Sequence, residues 1–452
     1  MSRFPAPPLC SLPRWRQALR FGRDPLGFLR DCFDSLGDVF SVRPMGSETW
    51  TFLCSPQAVR QMFRMPKDVL PAGDIHARFV GSLFGTDATF CLNGERHRRR
   101  QRLMMPLLST KTGRAQVPMM RRLIETRATG WRQGDSVPLL SECHRMSLDI
   151  LVHLIFGSED PDYNRRLADS FERFSNIGAR SMLVTLPSMQ WDLGRLSPWG
   201  RILHLRDLTR HLVRERVELH RSRPRAVDDT SPLVDRVLSW DGESLENEAV
   251  VDELMNLLFA GHETTGTFLA WCLECIAGRP DVLRKVLDEL DEGIGARPFE
   301  PEDVDRLPYL SAAIHETFRF RPVGPFSSFR AVAQDFELEA GDTTFHIRAG
   351  QALAYCFPIM ARRADLFEDP DAFRPERFLD KAHGVHEWTP FGGGGRICTG
   401  RGLALVELQV ALATLLRMVD FRLPDGEVRI ARCGHLLAPA DGLRTHVHPL
   451  RH

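Results

Sequence analysis

A cysteine set beside a run of glycines is the first place where this chain could do chemistry. The stretch Phe391-Gly392-Gly393-Gly394-Gly395-Arg396-Ile397-Cys398-Thr399-Gly400 carries four consecutive glycines. Such a run makes a poor helix or strand interior, because glycine loses the most backbone freedom on ordering, and it can approach a flat ligand closely. Directly afterwards comes Arg401-Gly402-Leu403-Ala404-Leu405-Val406-Glu407-Leu408, rich in helix formers. Cys398 therefore sits just ahead of a helix start, where unpaired N–H groups and the positive dipole end favour a thiolate. A second place is Gly261-His262-Glu263-Thr264-Thr265-Gly266, a polar cluster inside an apolar helical run. Such a break in the local pattern marks a functional or strained site. A zinc site of the H-E-x-x-H kind is excluded there, because position 266 is glycine, and at His315-Glu316, because position 319 is arginine. Glu316 and Arg319 stand three residues apart on one helical face and can pair.

The elements that must position these groups are legible from periodicity and punctuation. Pro25 onward reads as a helix stopped at Gly37, then an extended segment at Val39–Val42. A second strand follows at Thr51–Cys54, with a short helix from Ser55. Together these predict a small, polar-edged sheet near the N-terminus. Asn93-Gly94-Glu95-Arg96-His97-Arg98-Arg99-Arg100-Gln101-Arg102-Leu103 reads as a strongly basic helix. Helical spacing runs from about residue 140 to 275, broken near Gly178, Pro187, Gly194 and Pro198. A long helix runs from near Ser244 to about Ala277, ahead of Gly278-Arg279-Pro280.

The totals narrow the class. The chain has 452 residues, 43% hydrophobic and 26% charged, with a formal net charge of zero, so nothing global points to nucleic acid. Ten cysteines are scattered without a framework spacing, and residues 1 to 29 hold neither a signal peptide nor a membrane span. A reduced, cytoplasmic setting without a membrane anchor is the expectation. Cys272 and Cys275 form a C-x-x-C inside an apolar helical run, which reads as core packing.

The positions Phe391, Gly394, Arg396, Cys398 and Gly400 match the haem-binding loop of the cytochromes P450, and the chain resembles that family over nearly its whole length. The segment Ala260-Gly261-His262-Glu263-Thr264-Thr265 resembles the family's oxygen-activating helix. Arg377, in Phe373-Arg374-Pro375-Glu376-Arg377-Phe378, resembles the third partner of a Glu-Arg-Arg triad with Glu316 and Arg319. The resemblance implies a mainly α fold with a small β-rich side, a triangular helical domain enclosing haem. The expected layout is one domain over 1–452: an extension at 1–24, the β-rich side and first helices at 25–90, and the haem-binding helical core at 91–452.

The same resemblance implies the site. Cys398 would be the axial ligand of haem b. Glu263 and Thr264 would hold water and deliver protons, since reductive splitting of dioxygen in a dry pocket consumes two. Small Ala260 and Gly261 would leave room beside the ring, and Phe391, Gly392, Arg396 and Gly400 would cradle it. His97 and Arg330 would meet the propionates. Position 101 departs from the pattern: Gln101 stands where the family carries a cation, and Arg98 or Arg102 would compensate. Phe79, Leu83, Phe259, Phe326, Phe329 and Leu437 would line the substrate pocket, and Phe174, Met182, Leu183, Leu186, Met189 and Trp191 would roof it as a lid. His435, in the turn near the C-terminus, is read as a cap of that turn.

The implied reaction is insertion of one oxygen atom from O2 into a hydrophobic small molecule: a fatty acid, terpenoid, polyketide or other secondary metabolite. Electrons would come from a separate redox partner, a ferredoxin or flavodoxin with its reductase, docking on Arg98, Arg99, Arg362, Arg363 and Arg401. A monomer is expected. Two rivals stand beside this reading: a peroxide-driven peroxygenase of the same fold, and a non-catalytic haem sensor. Both are disfavoured by the intact Glu263 and Thr264.

Overall fold

Local rules start and stop the first elements. Asp24 accepts a hydrogen bond from the Gly27 amide and Pro25 fills the first turn, which starts the helix Pro25–Leu36. Gly37, at φ 88°, ends it in a conformation that disfavours other residues. The chain then enters strand β1 (Val39–Val42) and returns along β2 (Trp50–Leu53). Ser55 caps the next helix, Pro56–Arg64, through the Ala58 amide. The structure, a computed structural model, describes residues 3–44, 48–177, 190–223, 226–240, 245–380, 383–384, 386–424 and 426–449.

β1 and β2 join two distant strands, β3 (Arg330–Ala331) and β4 (Ala352–Tyr355), in the order β1-β2-β4-β3. β2 and β4 run parallel; the other pairs are antiparallel. The sheet is not polar-edged as expected. Every residue of β1, β2 and β4 is buried, because alternate side chains feed two apolar clusters, one on each face. Phe40, Val42, Trp50 and Phe52 pack on one face; Val39 and Leu53 on the other. The helix Arg14–Arg23 closes the first cluster, with Phe21 lying 5.4 Å from Trp50 and 5.7 Å from Phe326 between ring centroids.

The rest is mainly helical. The helices that bear on the site are α1 (Gly73–Phe84), α2 (Gly94–Leu107), α3 (Leu139–Phe156), α4 (Pro161–Ile177), α5 (Asn247–Ala277), α6 (Pro308–Phe320) and α7 (Arg401–Met418). α5 is apolar on nearly every side and packs against α3, α6 and α7 as the centre of the largest core cluster. Cys272 and Cys275 are fully buried in it, as the core reading expects. A hairpin of β5 (Ile430–Cys433) and β6 (Leu436–Pro439) lies against α5, where the Trp271 indole donates to the Leu437 carbonyl at 3.2 Å.

Candidate active site

The glycine loop is built by close packing. A Cβ at Gly393 would lie 2.4 Å from the Phe63 ring. At Gly394, φ is +63° and a Cβ would meet the Phe63 carbonyl oxygen at 2.3 Å, so only glycine fits. The loop closes on itself where the Cys398 amide donates to the Phe391 carbonyl at 2.9 Å. Phe391 packs edge-on against Phe318 of α6 at 4.7 Å, and Gly392 adopts φ 72°. Gly400 is the residue before α7. Of ten cysteines, eight are buried and Cys433 is half-buried; Cys398 is the exposed one. Burial pushes its thiol above the ordinary value, against the amides of Gly400 and Arg401 and the Arg401 charge, which lower it. The helix start does favour a thiolate, as expected, but desolvation outweighs it. Cys398 is thus exposed as a residue while its thiol is surrounded by enough protein to be strongly desolvated.

α5 has a matching open face. Ala260 is exposed and Phe259 and Thr264 are half-buried, although Leu257, Leu258, His262 and Glu263 around them are buried. The Thr264 hydroxyl donates to the Ala260 carbonyl at 2.5 Å. Glu263 points elsewhere: its carboxylate accepts from the Ser175 hydroxyl of α4 at 2.8 Å, both residues being buried. The two glycines that bracket the polar cluster serve α3 instead. A Cβ at Gly261 would lie 2.9 Å from Leu151, and one at Gly266 would lie 2.7 Å from His144. Gly261 was expected beside the ring; its close contact is with α3, and its carbonyl accepts from Ser147 at 3.3 Å.

A buried cluster of cations sits beside the loop. Arg330 donates to the carbonyls of Met62 (3.0 Å) and Gly393 (3.1 Å). Arg396 donates to the Leu92 carbonyl (2.6 Å) and to Asn93 Oδ1 (3.0 Å). His97 of α2 is buried, and its Nδ1 has no hydrogen-bond partner. Its pKa is lowered to about 3 by burial, then by Arg396 and Lys67. Burial and the neighbouring Arg330 lower Arg396 to about 10. Burial also lowers Arg330. Charges that depress one another in this way fit a ligand carrying anionic groups.

Arg102 and Arg98 do not join the cluster; they lie on the exposed face of α2 and pair with Glu95. Gln101 is half-buried on the same helix. Sequence reasoning missed Lys67 and His76, which the fold brings in from Arg64–Leu70 and α1. It also missed Asn93, whose Oδ1 accepts from the amides of Ala72 and Gly73 as well as from Arg396. An uncharged asparagine beside a basic helix carries no signal that it will join three segments.

The Glu316–Arg319 pair forms as its spacing predicts, and Arg377 joins it as the family resemblance implies. Arg319 grips Glu316 through two nitrogens at 2.8 and 2.7 Å, and Arg377 adds a third bond at 3.1 Å. Arg319 and Glu316 are fully buried. The remaining donors of Arg319 reach the carbonyls of Ala361, Pro370 and Ala372.

The six expected pocket residues fall in three places. Phe259 stacks on Phe84 at 4.1 Å and lies 5.2 Å from the ring of His435. Phe79, Phe326 and Phe329 belong to the sheet-side cluster. Leu83 and Leu437 are buried core residues. His435 is exposed as a residue, yet desolvation of its ring lowers its pKa, against Glu263, which raises it. Of the expected lid, Phe174 is buried core and Trp191 is exposed; Met182, Leu183, Leu186 and Met189 lie outside the described residues. Among the expected docking arginines, Arg362 pairs with Asp371, and Arg363 with Asp365 and Asp38. A concavity of about 950 Å³ opens beneath the loop, lined by Phe391–Gly394, His315, Trp388, Arg60, Arg64 and Arg401 and, among the described residues, by no acidic side chain.

Comparison with known proteins gives the family and the fold. The family profile described as Cytochrome P450 matches residues 5–444. Cytochrome P450 137 of Mycobacterium tuberculosis is 30% identical over 395 residues, 87% of this chain and 79% of that protein. Cytochrome P450 138 of Mycobacterium bovis is 30% identical over 452 residues, 97% of each chain. The retinoic acid-bound cyanobacterial CYP120A1 superposes with a TM-score of 0.86, covering 99% of this chain and 100% of that one at 24% identity.

Proposed function

The chain belongs to the cytochrome P450 family and is a haem-dependent monooxygenase, and on that premise we propose how its residues share the work. The cofactor is haem b. When bound, it supplies the redox centre at which dioxygen is activated and one oxygen atom is inserted into the substrate. Cys398 would hold its iron through the thiolate. The Gly400 and Arg401 amides, together with the Arg401 charge, stabilise the thiolate against the burial that opposes it. Arg330, Arg396 and His97 receive the propionates, with Gln101 an uncharged neighbour. The observation that carries the reading is Cys398, alone among the described cysteines in being exposed, on a loop too tight for any side chain at Gly394.

The proton path belongs to α5. Thr264 bonds its hydroxyl to the Ala260 carbonyl on the open face, and Glu263 at the preceding position holds its carboxylate on Ser175. A water held between them moves protons inward while the apolar walls of Phe259 and Phe84 exclude bulk solvent. The substrate is a hydrophobic small molecule of the fatty acid, terpenoid or polyketide kind, held against Phe259 and the Phe326–Phe329 pair. Electrons come from a separate ferredoxin or flavodoxin that docks over the concavity below the loop. The protein works as a cytoplasmic monomer.

The experiment is to express the wild type and C398S and to record reduced, CO-bound spectra. The wild type is expected to give the thiolate-ligated Soret band, with C398S losing it. A thiolate band that survives in C398S overturns the assignment.

A further inference from the structure

We propose that His76, with Lys67 beside it, is a further contact for the haem carboxylates and supplies the cation that position 101 lacks. The inference rests on the haem reading above and concerns residues that no motif points to. His76 lies in α1 and is 6% exposed. Its ring stacks flat on Phe90, with centroids 3.8 Å apart and 5° between planes. Nδ1 lies 3.0 Å from the Phe90 carbonyl, so Nδ1–H donates there. That bond fixes the ring and leaves Nε2 buried without a well-formed hydrogen bond, although the Phe329 backbone also acts on the imidazole. A buried, unpaired ring nitrogen costs free energy unless a ligand completes it. His97 shows the same defect at Nδ1, so two imidazoles in one region are each short of a partner.

The surroundings state the sign of that partner. The charges acting on His76 are those of Arg396 and Arg330. Lys67 feels Arg396, Arg98 and Arg330 against Glu95, and Arg396 feels Arg330 against Asp74. Glu95 and Asp74 are exposed residues, and Glu95 is engaged with Arg98 and Arg102. Lys67 forms no ion pair among the described residues, and its chain lies over Gly395, where a Cβ would be 2.1 Å from Lys67 Cε. Four elements thus converge on one region with positive or protonatable groups, and the buried Glu253 that reaches Thr89 beside Phe90 is already matched by Arg100. A ligand bringing two carboxylates completes the region. Burial, with Arg396 and Arg330, lowers the His76 pKa to about 4; a carboxylate against Nε2 raises it again, and the imidazolium then donates to Phe90 through Nδ1 and to that carboxylate through Nε2.

The test uses the haem-loaded enzyme and the variants H76F, H76N, H76Q and K67Q, with H97F as reference. H76F keeps the stack on Phe90. Asparagine retains a donor near Nδ1, and glutamine retains one near Nε2. Haem transfer to an apo-globin scavenger and the propionate bending bands in resonance Raman are measured. H76F and H76N are expected to lose haem about tenfold faster than wild type, with shifted propionate bands, while H76Q, which keeps the donor but not the charge, falls between them and wild type. K67Q is expected to lose haem a few-fold faster. Equal release from H76N and H76Q, or unmoved bands in H76F, overturns the proposal, because a packing role does not distinguish the two ring nitrogens. A wild type that shows no haem-thiolate spectrum overturns the haem reading itself and this inference with it.

Discussion

At the scale of single residues, the site divides labour between groups that point at the cleft and groups that hold them. Thr264 is of the first kind, bonded only to the helix carbonyl behind it. T264A is therefore expected to keep consuming electrons while product per electron falls about tenfold or more, the balance appearing as hydrogen peroxide. Parallel assays of electron donor, peroxide and product check this, and unchanged coupling removes Thr264 from the proton path. Ser175 is of the second kind. Its hydroxyl binds the buried Glu263 carboxylate. S175A should leave peroxide-free coupling lower and shift the pH profile of turnover, and S175T should restore both.

At the scale of elements, two buried acids join helices and behave differently. Glu316 is matched by Arg319 and Arg377 between α6 and the segment before the loop. R319L leaves that carboxylate buried with half its partners, and a loss of about 3–5 kcal/mol is expected in urea unfolding. Glu407 of α7 faces Ser147 of α3, which also reaches α5 through the Gly261 carbonyl. Burial lifts the Glu407 carboxyl from its ordinary 4.5 to about 8. A folded-state value raised in this way favours folding fully below about pH 4.5, and that contribution is lost as pH rises toward 8, at about 1.4 kcal/mol per unit. Thermal melts of E407Q should show a flatter dependence between pH 5 and 8 than the wild type, and a higher midpoint at pH 8. A wild-type slope preserved in E407Q would show that another group carries it.

At the scale of the whole molecule, the concavity under the loop offers Arg60, Arg64 and Arg401 to a partner. Charge reversal at these three should slow the first reduction by an acidic partner about tenfold at low salt, with the difference shrinking at high salt. Stopped-flow reduction across ionic strengths decides it. The same scale separates what was legible in the chain from what was not. The cysteine loop, the Glu-Arg-Arg spacing and the strands β1 and β2 announce themselves because each is written in consecutive or regularly spaced residues. Arg362 and Arg363 looked free because their partners Asp38 and Asp371 are distant in sequence or unremarkable in it. His76 and Lys67 were invisible for the same reason: only folding brings α1 and the segment after Arg64 against Arg396. The glycines at 261 and 266 were legible as unusual, but their neighbour, α3, was not.

The single oxygen of Asn93 has a consequence for how the molecule comes together. It anchors the start of α1, the entry to α2 and Arg396 of the loop at once. Around that knot the chain gathers like charges that repel until an anion arrives. The last stage of assembly is therefore a joint event, in which cofactor and closing chain arrive together. The yield of folded protein in a producing cell should accordingly follow its haem supply more closely than its rate of translation.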